Sequence, residues 1–312
     1  MTENGDRFPR SGRWRRSLGS YARLVRLPNL FTAPPDVILG AAVVGSFGYD
    51  VRVEAVAGLA VSSVILYAAG MALNDYFDAD EDARHRPERP IPSGEIPRDR
   101  ALIFGASLLA SGVGVAFLSG GAAAAAAASV LALAIVTYDG AVKGSVLGSL
   151  VMGANRGINV VLGTAAAAVP TALSLEAFLI PAVVALYVAS VTQMAESETG
   201  ATRRRAVSVG VAGTAVAALG VGVAIAVAPV SPADAALAVA LLAAFLVWTG
   251  PPLRRAYRDP SPATIGPAVG ACVLGLTVLA AAFAATVGVY WSLAAAAFFV
   301  PAVGLSKVFD VS

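Results

Sequence analysis

An all-α fold, a polytopic transmembrane bundle of nine or ten helices, is what the sequence predicts. Three observations carry that prediction. Of its 312 residues 57% are hydrophobic, only 13% are charged, and the mean hydropathy is +0.75. Soluble domains carry roughly 25% charged residues, so a water-exposed surface of ordinary polarity cannot be built from this chain. Apolar windows near the roughly 20 residues needed to cross a bilayer recur from residue 26 to the C-terminus. Basic residues fall almost entirely in alternate connections between those windows.

Taken in order, the windows fall at 26–47, 54–77, 100–119, 121–138, 145–167, 175–195, 204–227, 232–249, 263–286 and 290–306. Residues 1–25 precede them as a basic tail with Arg7, Arg10, Arg13, Arg15 and Arg16, expected to rest near anionic lipid head groups. Residues 26–312 then form a single transmembrane domain. Ser119, Gly120 and Gly121 read as a tight turn separating the third and fourth windows. The alanine run Ala122–Ala128 beyond it suits a packed helix more than a lipid-facing one. The loops at 78–100, 139–144, 196–205 and 250–262 carry nearly all the remaining basic residues, while Arg52 alone falls in a loop of the other side. By the positive-inside rule those four loops and the N-terminus are cytosolic. Lys307 after the last window favours a tenth crossing. No cleavable signal peptide is evident, because the first 25 residues are polar and Arg-rich. One cysteine, Cys272, and one histidine, His85, exclude a disulfide framework and a His-ligated metal site. An integral protein of the cell membrane is expected, with membrane lipid around it and no nucleic-acid partner.

The chemistry points to the run NDYFDADED at Asn74–Asp82, directly after the second window. On a helix Asp75, Asp78 and Asp82 fall within an arc of about 60°, with Asp80 nearly opposite. Clustered carboxylates beside the neutral oxygen of Asn74, without His or Cys, suit a hard cation such as Mg²⁺. Pro87 disfavours helical geometry at Arg86 and ends the helix in the loop RPERPIPSG. Acidic runs usually form solvated helix ends; this one borders a span, where ionisable groups are costly and commonly functional. A second polar set, Asn155, Arg156 and Asn159, shares one face of the fifth window by i,i+3 and i,i+4 spacing. An arginine at that depth requires an anionic partner, for which Asp36 or a ligand would serve. The alternative is a hydrogen-bond cluster that only holds helices together. Tyr138, Asp139 and Lys143 sit at the cytosolic end of the preceding helix. A third set, Gln193, Glu196 and Glu198, ends the sixth window. Glu198 lies about 200° from Glu196, so a regular helix aims only one of them at a given site.

NDYFDADED followed by RPERPIPSG resembles the first signature of the UbiA superfamily of intramembrane prenyltransferases, in Asn74, Asp75, Asp78, Asp82, Arg86, Pro87, Arg89, Pro90, Ile91, Pro92, Ser93 and Gly94. Thr137–Gly163 and LVRLPNLFTAPPDVILG are similar to the Ebo-type (EboC-like) branch, in Tyr138, Asp139, Lys143, Met152, Arg156, Asn159 and, earlier, Asn29, Thr32 and Asp36. The departure is the second acidic motif. Catalytic members usually carry Asp-x-x-x-Asp after the sixth helix, where this chain has Gln193, Glu196 and Glu198. The resemblance implies a Mg²⁺-dependent prenyltransferase moving an isoprenoid chain from a polyprenyl diphosphate to a lipophilic or aromatic acceptor. It implies catalytic roles for Asp75, Asp78, Lys143 and Glu196. Asn74, Asp75, Asp78 and Asp82 would hold metal, with Gln193 and Glu196 at a second ion. Asn74, Arg86, Arg89, Lys143, Asn155, Arg156 and Asn159 would bind the diphosphate. A non-catalytic lipid- or isoprenoid-binding member, or an export component, is the alternative that the altered second motif favours. An ion-coupled transporter would also use intramembrane carboxylates, but gives RPERPIPSG no role.

Overall fold

A computed structural model of the chain describes residues 19–167, 173–196 and 202–306. The basic tail up to residue 18, Glu198 and Lys307 lie outside the described residues.

The first span, α1 (Leu27–Ser46), starts with a single turn and runs on as a helix from Pro34, whose fixed φ suits a first helical position. Every residue from Pro34 to Val44 is buried. A helix apolar on all sides belongs in the middle of a bundle, and α1 packs against five later helical segments. α2 (Val53–Phe77) returns, and Asp78 both closes it and opens the short α3 (Ala79–His85). Pro87 follows, and the loop to residue 97 folds back so that Ile96 packs on Leu24, Ala72 and Ala101.

The next apolar run, Arg98–Val142, has 45 residues. Straight, it would measure about 68 Å, more than twice the roughly 30 Å hydrocarbon core. It breaks at Gly121, whose φ of 70° and ψ of −157° are open to glycine and not to L side chains. The arms, α4 (residues 98–120) and α5 (residues 122–137), form a hairpin on α2. Gly58, Leu66 and Leu73 of α2 meet Ser119, Gly112 and Gly105 in reversed order, and Gly70 meets Ile135 on the return. Of the alanine run only Ala124 and Ala128 are buried; the residues between them face outward or half outward, so one stripe of the run packs and the rest does not.

A wide turn, Tyr138–Val142, leads into α6 (Val146–Thr164), whose N-terminus is capped by the Ser145 hydroxyl accepting from Gly148 N–H at 3.0 Å. Then come α7 (Leu179–Glu196), α8 (Thr202–Val227), α9 (Pro232–Arg258) and α10 (Pro262–Ala285). With the hairpin counted as two, its second arm running on through the turn to Val142, nine helices of membrane-crossing length are present among the described residues. The tenth window forms two eight-residue helices, α11 (Val289–Ala296) and α12 (Phe299–Ser306). They run back along α1, α12 reaching the Leu27–Leu30 turn. This return is a bent helix pair, not a tenth straight span. No β-strand forms among the described residues.

Outer faces present Ile103, Leu118, Leu133, Leu219 and Val247, each more than 60% exposed. In water such a surface would aggregate; in hydrocarbon it is the matching solvent. Inside, close approach relies on small residues. A Cβ at Gly40 would run into the Val160 carbonyl, and one at Gly163 into that of Val37, so α1 and α6 touch backbone to backbone. Gly163→Ala is therefore expected to destabilise the fold by about 1–3 kcal/mol. Thermal unfolding of the detergent-solubilised variant checks this, and an unchanged midpoint would contradict the contact.

Candidate active site

A cavity of about 300 Å³ opens among α2, α5 and α6, at the bundle end where α3 and the 86–97 loop lie. One face of α2 forms its wall. Ser63, Tyr67, Met71, Asn74 and Asp78 all line it, and at 100° per residue these positions stay within about 80° of one another. Their polar members form a column in an otherwise apolar helix, a signal that a search confined to the acidic run overlooks for Ser63 and Tyr67.

The mouth gathers charge of both signs. Asp78 points into the cavity and is paired with Lys143, which the turn after α5 and Gly144 (φ 78°) bring back toward α2. A π-type turn of this sort, closed by Lys143 N–H donating to the Tyr138 carbonyl at 3.0 Å, commonly marks functional sites. Asn74 donates to Asp139 at 2.9 Å and accepts from Arg26 at 3.3 Å. Arg86 and Arg89 complete the rim. Arg26, absent from the expected site residues, enters because its left-handed backbone (φ 49°) turns the chain before α1 and directs the guanidinium to Asn74 and to Asp75 at 3.0 Å. No local sequence pattern announces it.

Asp75 and Asp82 stand behind this wall. The cavity face centres on Asn74 and Asp78, and Asp75 lies about 60° past Asp78 on the helical wheel. Asp75 meets Arg26 and, at 3.4 Å, Arg89; Asp82 meets Arg89 at 2.7 Å. Their side chains are 5% and 7% exposed, against 19% for Asp78. Of these three, Asp78 is thus the most open to a ligand. Asp80, on the opposite side as expected, pairs with Arg98 in solvent.

About two helical turns deeper on α2 the wall becomes polar again. Arg156 donates to Asp36 at 3.0 Å, to the Thr32 carbonyl at 3.0 Å and to the Thr32 hydroxyl at 2.8 Å, with its guanidinium 4.8 Å from the centre of the Tyr67 ring. Asn159 donates to Asp36 at 3.1 Å and accepts from Ser63 at 2.7 Å. Of the two partners the sequence left open for Arg156, the fold supplies Asp36. Between the two polar zones the lining is apolar, with Met71, Leu131, Ile135 and Met152.

Gln193 and Glu196 do not reach this cavity, contrary to the expectation of a second metal set there. Glu196 accepts from Ser149 at 2.9 Å, from Tyr138 at 3.3 Å and from the Gly144 N–H at 3.3 Å. Its oxygens are engaged by the base of α6 and by the turn before it, and Tyr138, which donates to it, also lines the cavity. Gln193 lines a separate apolar groove of about 320 Å³ between α6, α7 and α8. Among the described residues no group of three or more His, Cys, Asp or Glu side chains converges as a preformed metal cage. The wall still offers oxygen donors without His or Cys, which suits a hard cation better than a soft one.

The model of the UbiA prenyltransferase family matches residues 37–197, 161 of the 312. The chain belongs to that family. Curated relatives include the digeranylgeranylglyceryl phosphate synthases of Methanopyrus kandleri, 40% identical over 98 residues, and of Ignicoccus hospitalis, 39% identical over 95 residues. Those matches span 31% and 30% of this chain and about a third of each relative, 34% and 30% of their lengths. Among solved structures, a UbiA homologue from Aeropyrum pernix superposes with a TM-score of 0.62 at 19% identity, covering 81% of this chain and 96% of that one. A homologue from Archaeoglobus fulgidus bound to DMAPP and Mg²⁺ gives 0.59 at 16% identity, covering 89% and 99%. These structural likenesses establish a shared UbiA fold.

Proposed function

We propose that this UbiA-family member is a Mg²⁺-dependent prenyltransferase, moving an isoprenoid chain from a polyprenyl diphosphate to a lipophilic acceptor. The observation that carries the reading is one cavity with Asn74, Asp78, Arg86, Arg89 and Lys143 at its mouth and an apolar middle. That is the shape and polarity of a diphosphate with a hydrocarbon tail. Four basic residues at the mouth, Arg26, Arg86, Arg89 and Lys143, stand with four acidic ones, Asp75, Asp78, Asp82 and Asp139, so a diphosphate would add charge the site does not balance, which favours its arrival with a divalent cation. Asn74 and Asp78 would hold Mg²⁺ from the wall, with Asp75 and Asp82 behind them. Bound Mg²⁺ would supply charge neutralisation for the departing diphosphate. Arg26, Arg86, Arg89 and Lys143 would bind and orient the diphosphate oxygens, stabilising charge that develops there. The apolar waist keeps water from the allylic carbon.

The names of the curated relatives support an acceptor of the glycerol phosphate kind, with a hydroxyl as nucleophile. The meeting of Tyr138, Asp139 and Lys143 at the mouth supports placement near the Ebo-type branch. The basic loops support a cytosolic mouth and N-terminus. The position of Glu196 favours one second reading, a member that binds prenyl diphosphates without turning them over, since its oxygens are engaged by protein donors.

Supplying radiolabelled geranylgeranyl diphosphate to membranes that carry the protein separates the two. Labelled lipid product that disappears with EDTA and returns with Mg²⁺ is expected. Binding without any diphosphate release would establish the carrier instead.

A further inference from the structure

The groove between α6, α7 and α8 runs down the outside of the bundle, apart from the central cavity. It lies at the same end as the mouth, because Val146 opens α6 and Gln193 stands within a turn of the end of α7. Small buried residues form its floor: Ala189 and Ser190 of α7 and Gly213 of α8. A Cβ at Gly213 would collide with the Ser190 hydroxyl, so the two helices already touch and cannot close the groove further. Its rims are Leu150, Leu186, Val209 and Val216, each more than 40% exposed. On α7 it extends from Leu186 to Gln193 and on α8 from Val209 to Val216, about 10 Å on each helix.

One cation stands in line with it. At 100° per residue Arg205, Val209, Ala212 and Val216 stay within about 60° of one another, and Arg205 comes one turn, about 6 Å, before Val209. Arg205 is exposed, and among the described residues no carboxylate pairs with it. Arg204 belongs to another face, with its guanidinium 5.9 Å from the centre of the Tyr257 ring of α9. Glu196, the acid that ends α7, is engaged by Ser149, Tyr138 and the Gly144 N–H.

From this alignment we propose that the groove is a binding site for one anionic phospholipid, with an acyl chain between α7 and α8 and the headgroup phosphate on Arg205. Three facts select that occupant. First, the rims are apolar and face outward on a surface matched to hydrocarbon, where a bilayer chain is the neighbour at hand. One leaflet of the hydrocarbon core is about 15 Å deep, so a 10 Å groove takes the upper two-thirds of such a chain. Second, the cation sits beyond the end of the groove that reaches the end of the bundle, the level of the head groups. A guanidinium holds a phosphate through paired hydrogen bonds, which a neutral or cationic ligand would waste. Third, the chain's own N-terminal tail is a poor occupant: with Arg7, Arg10, Arg13, Arg15 and Arg16 it would bring positive charge to Arg205. The site makes no use of the prenyl-transfer machinery and stands whether or not that reading holds.

The test uses the full-length protein in phosphatidylcholine nanodiscs doped with a photoactivatable lipid, either phosphatidylglycerol or phosphatidylcholine with the same diazirine-bearing acyl chain. Labelled peptides are mapped by mass spectrometry. In wild type, labelling of residues 186–193 and 209–216 by phosphatidylglycerol is expected to exceed that by phosphatidylcholine by about fivefold or more, the factor one basic side chain contributes at an anionic surface. Arg205→Gln, at an exposed position without a described partner, should fold normally and lose that preference. Arg84→Gln, the same charge change on α3, should keep it. Ala212→Phe, which fills the groove from an exposed position, should cut labelling there by both lipids. Equal labelling of wild type by the two lipids overturns the site, leaving only ordinary contact with the bilayer. So does a preference that survives Arg205→Gln, or one that Arg84→Gln removes equally, which would trace it to net charge. Crosslinks joining two copies of the protein through the groove in place of lipid would overturn it as well.

Discussion

Asp78→Asn is expected to lower Mg²⁺-dependent prenyl transfer by about 10²–10³-fold, the range seen when one group that stabilises developing charge is removed. The substitution keeps size and hydrogen-bonding capacity and takes away one negative charge at the cavity wall. Asp78 is more open than Asp75 and Asp82, and its only described ion-pair partner is Lys143, itself a third exposed. A pair this accessible contributes little to folding, so the loss should fall on turnover and on the Mg²⁺ concentration for half-maximal rate. Asp80→Asn is the matched control: Asp80 is 80% exposed and meets Arg98 away from the cavity, and its activity should be unchanged. Equal rates for Asp78→Asn and wild type, measured as labelled lipid per mole of folded protein, would remove Asp78 from the metal site.

Arg156→Met should have the largest effect on stability. Its partner Asp36 is fully buried, and removing the guanidinium leaves that carboxylate without a countercharge in the centre of the bundle. Breaking one side of a buried pair costs about 3–5 kcal/mol. Asp36→Leu should be similarly damaging. Combining the two replaces both charges by apolar groups and should restore much of the loss, because the penalty belongs to the unpaired charge and not to the absence of the pair. Thermal unfolding of the two single variants and the double variant in one detergent gives the cycle. Additive losses would mean that the two residues do not act as a pair.

Much of the fold is legible in the chain because its signals are local. An apolar window near 20 residues is a crossing helix wherever it occurs, and the 119–121 turn and the Pro87 stop are read from neighbours in sequence. The acidic run with its following loop, matching the family's first signature, is legible for the same reason. The alanine run shows the limit: composition says that it can pack, and only the partner helices decide that Ala124 and Ala128 do.

The candidate site divides along the same line. The sequence by itself determined an all-α membrane bundle, the acidic run Asn74–Asp82 at the end of the second window, and the position of a polar cluster inside the fifth window. Only the tertiary structure decided that the cavity face passes Asp75 by, that Arg26 belongs to the mouth, that Glu196 turns toward Ser149, and that Asp36 answers Arg156 from 120 residues away. Helix formation and partition into lipid depend on contiguous residues. The choice of partner for a buried charge depends on which helices pack together, and backbone contacts such as those of Gly40 and Gly163 fix that packing across the whole length of the chain.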